Sequence, residues 1–206
     1  MAAPLKPEQV RDVRDRIRRI AERRMADGGT AGLSLRAIAA EMGWTAASLY
    51  RYYDSKAALL AATRAAAYNR FADRIEAAHA SSDDLWVRSR AIGDAYVAFA
   101  FDEPAAYKLI FAYEQDEADK TDELRAAERR SKRTMTDYVV EMVAAGLLEG
   151  DPEILAHVYW AALHGLVVLR MADKLTRTPS FEAIRHASNR LITRGALPVR
   201  EGAKRG

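Results

Sequence analysis

Apolar residues recur at three- and four-residue steps along most of this chain, the rhythm of helices with one buried stripe. Val10, Val13, Ile17 and Ile20 mark a first helix from about Pro7 to Met25, after a Pro-punctuated arm at residues 1–7. Arg11, Arg14, Arg18, Arg19, Arg23 and Arg24 are interleaved on it with Asp12, Asp15 and Glu22, which reads as pairing along a wet helix face. The glycine-dense run Asp27 to Gly32 stops it. Leu35, Ile38, Ala39 and Met42 then give a short helix an apolar face, with Ser34 as its cap and Gly43 at its end. Thr45 caps a second short helix, Ala46 to about Tyr52, with Leu49 and Tyr53 turned back toward the first. Ser55 caps a long helix to about His79, with Leu60, Ala67, Phe71 and Ile75 as its apolar line. No Gly or Pro interrupts residues 56–80, so a continuous helix rather than a flexible tether is predicted there.

Beyond a turn at Ser81 to Asp84 the pattern predicts helices over about 83–101, 104–111 and 121–145. The acidic stretch Tyr113 to Glu123 reads as a solvated loop. Asp151-Pro152-Glu153 is a helix start: a cap, Pro at the first position and a carboxylate near the positive dipole end. The helix it opens, Pro152 to Met171, is apolar nearly all the way round, so two faces need burial. The last helix, about Phe181 to Arg194, is too short to cover it alone. A second copy of the chain is the economical cover, giving a homodimer through the helices near 152–171 and 181–194. Gly165, costly inside a helix by about 1 kcal/mol relative to Ala, suggests close approach of another backbone there. The tail after Leu197, with Arg200, Lys204 and Arg205, reads as disordered.

The resulting fold class is all-α, about nine helices: a three-helix N-terminal domain at residues 1–56 and a larger helical domain at 57–206. An apolar fraction of 50% and a charged fraction of 30% suit a globular chain. With no cysteine, disulfides and thiolate metal sites are excluded and a reducing compartment is compatible. There is no signal-like apolar core at the N-terminus, and no apolar run is judged long enough to span a membrane, so a cytoplasmic location is expected. Charge is unevenly spread. Residues 1–56 hold eleven Lys/Arg against seven Asp/Glu, and the remainder twenty-one against twenty-two. The positive excess thus lies with the short helices, as a phosphate-facing module requires.

Helix, glycine turn, helix is the DNA-binding helix-turn-helix pattern. Within it Thr45 and Ser48 are the side chains before Tyr50 able to hydrogen-bond, while Ala46 and Ala47 offer only van der Waals contact, for instance to a thymine methyl. Tyr50 and Tyr52 can donate phenolic O–H groups to phosphates, and Lys56 combines charge with free N–H groups at a helix start. Ser34 and Arg36, on the preceding helix, are further candidates for phosphate or base contact. Residues 34–56 resemble the DNA-reading segment of the TetR family of transcriptional regulators. The stretch Leu49-Tyr50-Arg51-Tyr52-Tyr53-Asp54-Ser55-Lys56 matches its LYxxF-x-S-K ending. Two positions depart: Trp44 stands where the family has a small or β-branched aliphatic residue, and Tyr53 replaces Phe. The resemblance implies that Thr45, Tyr50, Tyr52 and Lys56 face phosphates and that residues 45–48 face bases.

The run Trp160-Ala-Ala-Leu-His164-Gly165 resembles the Trp…His-Gly signature of one C-terminal domain type in the same family. His157, Trp160 and His164 share one side of their helix, but only Glu153 lies at a spacing suited to complete a metal site, so none is expected. No nucleophile with base and orienting partner is visible, so an enzyme is not expected, and no cofactor is implied. Tyr96, Phe99, Tyr107, Phe111, Tyr138, Met142, Trp160 and His164 are candidates to line a ligand pocket between helices, with packing as the alternative for each. The family resemblance implies a homodimeric repressor of double-stranded DNA, released from a palindromic site by a small, largely apolar effector. Two other readings stay open: a ligand-independent dimeric DNA-binding protein, and an all-α enzyme or carrier with a vestigial helix-turn-helix.

Overall fold

The computed structural model describes residues 6–175 and 178–198. The N-terminal arm and the basic tail with Arg200, Lys204 and Arg205 fall almost entirely outside them. Among the described residues there are nine α-helices and no strand. They are α1 Pro7–Gly32, α2 Leu35–Glu41, α3 Ala46–Tyr50, α4 Lys56–His79, α5 Leu85–Asp102, α6 Pro104–Phe111, α7 Asp122–Ala144, α8 Pro152–Met171 and α9 Phe181–Gly195. Only α1 is clearly longer than the periodicity predicts; it continues past Met25, with a break at Gly29, whose φ of 61° is left-handed.

Packing divides the chain into two compact units: residues up to 72 with 99–131, and 73–98 with 132 onward. The division falls inside α4, α5 and α7. The proposed DNA-reading segment lies wholly in the first unit.

In the first unit α2 packs on α1, α3 on α2, and α6 on α1. Of the predicted stripes, Ile17 and Ile20 of α1, Leu35 and Ile38 of α2 and Leu49 of α3 are buried, while Val10 and Val13 stay half-buried and Met25, outside the predicted stripe, is buried too. The charges of α1 behave differently from the expected wet-face pairing. Arg18 does pair with Asp15 one turn away, but Arg23 and Arg24 reach Glu41 of α2, at 2.8 and 3.4 Å. Glu22 takes Arg70 of α4 at 2.9 Å, and Arg70 also holds Glu103 at 2.7 Å. Burial works against the Arg70 charge, but the two carboxylates outweigh it and raise its pKa. Two further donors on α4 satisfy the last carbonyls of α6: Arg64 Nε to Leu109 O at 3.2 Å and Tyr68 Oη to Ile110 O at 3.1 Å. Ala61 and Ala65 on α4 pack with Leu124 and Ala127 of α7, small residues that let two helices approach closely.

The stretch Tyr113 to Glu123 is not a free solvated loop. It contains a 3₁₀ turn, Glu117–Asp119. Tyr113 Oη donates to Met25 O, Gln115 to the carbonyls of Ala57 and Asp119, and Lys120 pairs with Glu117 and Glu128. Long polar side chains thus pin the segment to the carbonyls of α1, α4 and its own 3₁₀ turn.

In the second unit α8 packs on α9. Asp151 caps α8 through the Ile154 N–H at 3.0 Å, with Pro152 in the first turn. Glu141 of α7 binds both His79 and Arg88. Over an 18-residue window α8 has a mean hydropathy of 1.4, so by length and composition it is able to cross a membrane, which the sequence reading denied of every run. Its polar groups have protein partners, however: Tyr159 Oη lies 2.9 Å from Thr193 Oγ1 of α9, and His164 and Trp160 bond Tyr96 of α5. Ile154, Val158, Val168 and Leu169 remain exposed, as does Leu191 of α9. A Cβ on Gly165 would meet no atom within 4 Å, so among the described residues no other element's backbone makes the close approach expected there.

Tyr53 offers a stability test. Its ring is buried, with the Arg14 guanidinium 4.9 Å from the ring centre, and its hydroxyl has no hydrogen-bond partner. Leaving such a group dry costs about 1–3 kcal/mol. Tyr53→Phe keeps the ring and the cation–π contact, and should raise stability by about 1 kcal/mol. The urea midpoint is the readout; a lower midpoint would mean that the hydroxyl is paired.

Candidate functional site

The helix-turn-helix is built from local backbone chemistry. Ser34 Oγ accepts the Ala37 N–H and starts α2. At its other end the Gly43 N–H donates to Ala40 O at 3.0 Å and the Trp44 N–H to Ala39 O at 2.8 Å. Those two bonds make a Schellman ending, which requires a left-handed residue, and Gly43 supplies it with φ 71°. Thr45 Oγ1 accepts the Ser48 N–H and also lies 3.0 Å from Ser48 Oγ, so the two hydroxyls share one hydrogen bond at the start of α3. Ser55 Oγ accepts the Ala58 N–H at 3.0 Å and starts α4 beside Lys56.

Hydroxyls, methyls and cations are left in reach of solvent on these three elements. Thr45, Ala47, Tyr50, Lys56 and Arg36 are exposed, while Ala46, Ser48, Tyr52 and Ser34 are half-buried. Tyr50 is 51% exposed for so large a side chain. Trp44 and Tyr52 stack, ring centres 5.7 Å apart and planes within 25°. The indole at the departing position therefore braces a phenol that is a candidate phosphate donor.

The second unit holds a cavity of about 610 Å³ bounded by α5, α7, α8 and α9. Trp86, Tyr96, Tyr138, Tyr159, Trp160 and Leu166 supply its aromatic and apolar wall. Tyr96 is the hub of a polar relay. Its hydroxyl accepts the Trp160 indole N–H at 3.2 Å and lies 3.0 Å from His164 Nδ1. Burial lowers the His164 pKa, which keeps the imidazole neutral and leaves Nδ1 free to accept the Tyr96 proton. Burial also raises the Tyr138 phenol far above the ordinary tyrosine range, so it stays protonated.

Comparison with known proteins gives this arrangement a family. The model of bacterial regulatory proteins of the tetR family matches residues 17–63, and that of the tetracyclin repressor-like C-terminal domain matches residues 89–194, half of the chain. The chain belongs to the TetR family. HTH-type transcriptional regulators of Mycobacterium bovis and Mycobacterium tuberculosis are 33% identical to it over 111 residues, 49% of this chain and 46% of theirs. The chain thus spans about half the length of those curated relatives. A solved protein of unknown function from Rhodococcus sp. RHA1 is 27% identical, with a TM-score of 0.78 over 90% of this chain and 95% of that one. A TetR family transcription regulator from Marinobacter aquaeolei VT8, 21% identical, shares the fold with a TM-score of 0.73 over 93% of this chain and 98% of its own.

Within this TetR-family fold the eight sequence-predicted pocket residues separate. Tyr96, Tyr138 and Trp160 line the cavity, and His164 stands behind it against the Tyr96 hydroxyl and the Trp160 ring. Met142 is buried in the second unit without lining it. Phe99, Tyr107 and Phe111 sit in the other unit. There Phe99 and Phe111 pack edge-on against Phe71, at 5.3 and 6.0 Å, and Tyr107 lies 4.7 Å from Phe111. They are core, because an aromatic at helical spacing carries no mark of which neighbour its helix will meet. Trp86, Tyr159 and the arginines of α9 are not among the sequence-predicted pocket residues. His157 bonds only the Glu153 carbonyl of its own helix, at 2.7 Å, and no metal-binding cluster occurs among the described residues.

The relay predicts a pH dependence. A histidine whose folded pKa lies below its unfolded value of about 6.5 binds protons more readily when unfolded. Its stabilising contribution is therefore complete above that value and is lost as pH falls toward the folded pKa. Thermal melts between pH 7.5 and 5.5 should show a larger loss of Tm for the native chain than for His164→Gln. Equal losses would mean that His164 titrates as if exposed.

Proposed function

We propose that this protein is a homodimeric transcriptional repressor that reads a palindromic site in double-stranded DNA and is released by a small effector bound in the cavity of its second unit. The single observation that supports the reading most is the exposed row of hydroxyls and cations on a fully capped helix-turn-helix. α3 has few groups able to read bases: Thr45 and Ser48, with Ala46 and Ala47 for methyl contact. Phosphate contacts from Tyr50, Tyr52, Lys56 and the α2 residues Ser34 and Arg36 must then carry much of the affinity. One such half-site is weak, and pairing two through the exposed apolar faces of α8 and α9 restores affinity and sets a half-site spacing of one DNA turn.

Release requires that the effector favour the non-binding arrangement by its own differential affinity; equal affinity for both arrangements switches nothing. α4, whose residues belong to both units, is the element assigned to carry the change. On this reading the protein is not an enzyme and works in the cytoplasm beside its DNA.

Selection of bound duplexes from a random pool, repeated with small metabolites added, tests the whole reading. Recovery of a two-fold symmetric site, lost on adding one compound class, is the expected result; a chain monomeric and indifferent to duplexes in dilute buffer overturns it. Lys56→Ala should weaken binding to all sequences alike and flatten the salt slope by about 0.9 for each half-site. A changed sequence preference with an unaltered slope would place Lys56 on bases. Trp44→Ala should weaken binding by up to about tenfold, because an aromatic pair worth ~0.5–1.5 kcal/mol no longer holds Tyr52. Trp44→Phe should restore most of that affinity, and a Trp44→Ala chain that binds as tightly as the native one removes the bracing role.

A further inference from the structure

The cavity is not wholly apolar. Arg90 of α5 and Arg185, Arg190 and Arg194 of α9 share its lining, and no Asp or Glu does. Arg185 is already spoken for: Asp94 holds it at 2.7 Å and Glu182 at 2.9 Å, and its side chain is 15% exposed. Arg90, Arg190 and Arg194 have no carboxylate partner among the described residues. Arg194, in the last turn of α9, gains from the helix dipole. That accounts for one cation, not for three exposed arginines along the lining of one cavity. Arg190 and Arg194 stand one turn apart on the same helix face, an arrangement that like charges disfavour until something neutralises them.

Resting on the reading of this cavity as the effector site, we infer that the effector is a carboxylate on an apolar body rather than a wholly apolar molecule. The aromatic wall takes the body, and the unpaired guanidinium groups take the head through the parallel N–H bonds that suit a carboxylate. The volume of about 610 Å³ falls within the range of small-ligand sites. Tyr138, kept protonated by burial, makes no hydrogen bond to another described residue and adds a neutral donor to the same lining.

Calorimetry on the full chain with matched pairs tests this: dodecanoate against dodecan-1-ol, and 2-naphthoate against 2-naphthol. In at least one pair the carboxylate should bind about tenfold or more tightly than the alcohol, as charge-assisted hydrogen bonds imply. Raising the salt should shrink that advantage. Combined Arg90→Gln, Arg190→Gln and Arg194→Gln should bring it below about threefold with the alcohol's affinity unchanged, since exposed guanidinium groups contribute little to folding. Urea midpoints confirm that the variant is folded. Alcohols that bind as tightly as the carboxylates, or an advantage that survives the triple variant, overturn the anionic inference and leave the cavity a ligand site. Binding that persists undiminished in Ala162→Trp, which fills the cavity, places the compounds elsewhere and overturns it too. Failure of all four compounds to bind the native chain removes the effector reading of the cavity and this inference together.

Discussion

Two helices of seven and five residues cannot hold their own shape in water, because each spends most of its length on end groups that no internal hydrogen bond satisfies. Everything that makes a reading surface possible here answers that constraint. Ser34, Thr45 and Ser55 meet the free N–H groups at three successive helix starts, and the Gly43 turn meets the free carbonyls between the first two. Burial of Ile38 and Leu49 with the α1 stripe then fixes the pair as a body. The hydroxyls offered outward are held by the same bonds that start the helices. A change at a cap therefore alters both the fold and the surface.

The second unit follows a different logic. Several of its polar groups are drawn inside, where water is scarce and a partner is needed. Tyr96 serves Trp160 and His164 at once, and Tyr159 finds Thr193. What remains unmet is apolar on the outside, at Ile154, Val158 and Leu191, and cationic in the cavity, at Arg90, Arg190 and Arg194. Those are the two kinds of surface that a second copy and a ligand would cover. Both therefore belong to what the isolated chain leaves incomplete.

Helix caps and turns were legible in the sequence because they are decided within three or four residues. Ser34, Gly43, Thr45, Ser55 and Asp151 each do what their spacing implies. Which helix meets which is a long-range matter, and there periodicity was silent. Phe99 and Tyr96 lie one turn apart on α5, yet one packs on Phe71 and the other faces the cavity. Charge patterns misled for the same reason. Arg23 and Glu22 each look set for pairing along α1 until α2 and α4 arrive with Glu41 and Arg70. The arginines of α9 gave no signal at all, because nothing local marks the cavity beside them.

The bonds around α4 also limit how any signal could move the reading helices. Arg64 and Tyr68 hold the carbonyl end of α6, and Arg70 ties α4 to Glu22 of α1 and to Glu103 at the start of α6. For α4 to slide alone past α1 and α6 it would have to break all of them. Arg70 is 39% exposed, so its pairs are discounted for solvent, but Arg64 is almost fully buried and its bond to Leu109 cannot pass to water. Charge-assisted bonds of this kind are worth roughly 1.5–3 kcal/mol each, while typical coupling between sites is about 1–3 kcal/mol in all. On the proposed reading, the Arg64 bond alone already matches what an effector's coupling could supply, before the Tyr68 and Arg70 bonds are added. The cheaper motion keeps these bonds and moves α1, the first part of α4, and α6 together, carrying the helix-turn-helix with them as one piece. Under the dimer and release proposed above, such a motion would keep the caps around Gly43 closed and change the spacing between the paired reading helices, not the shape of each.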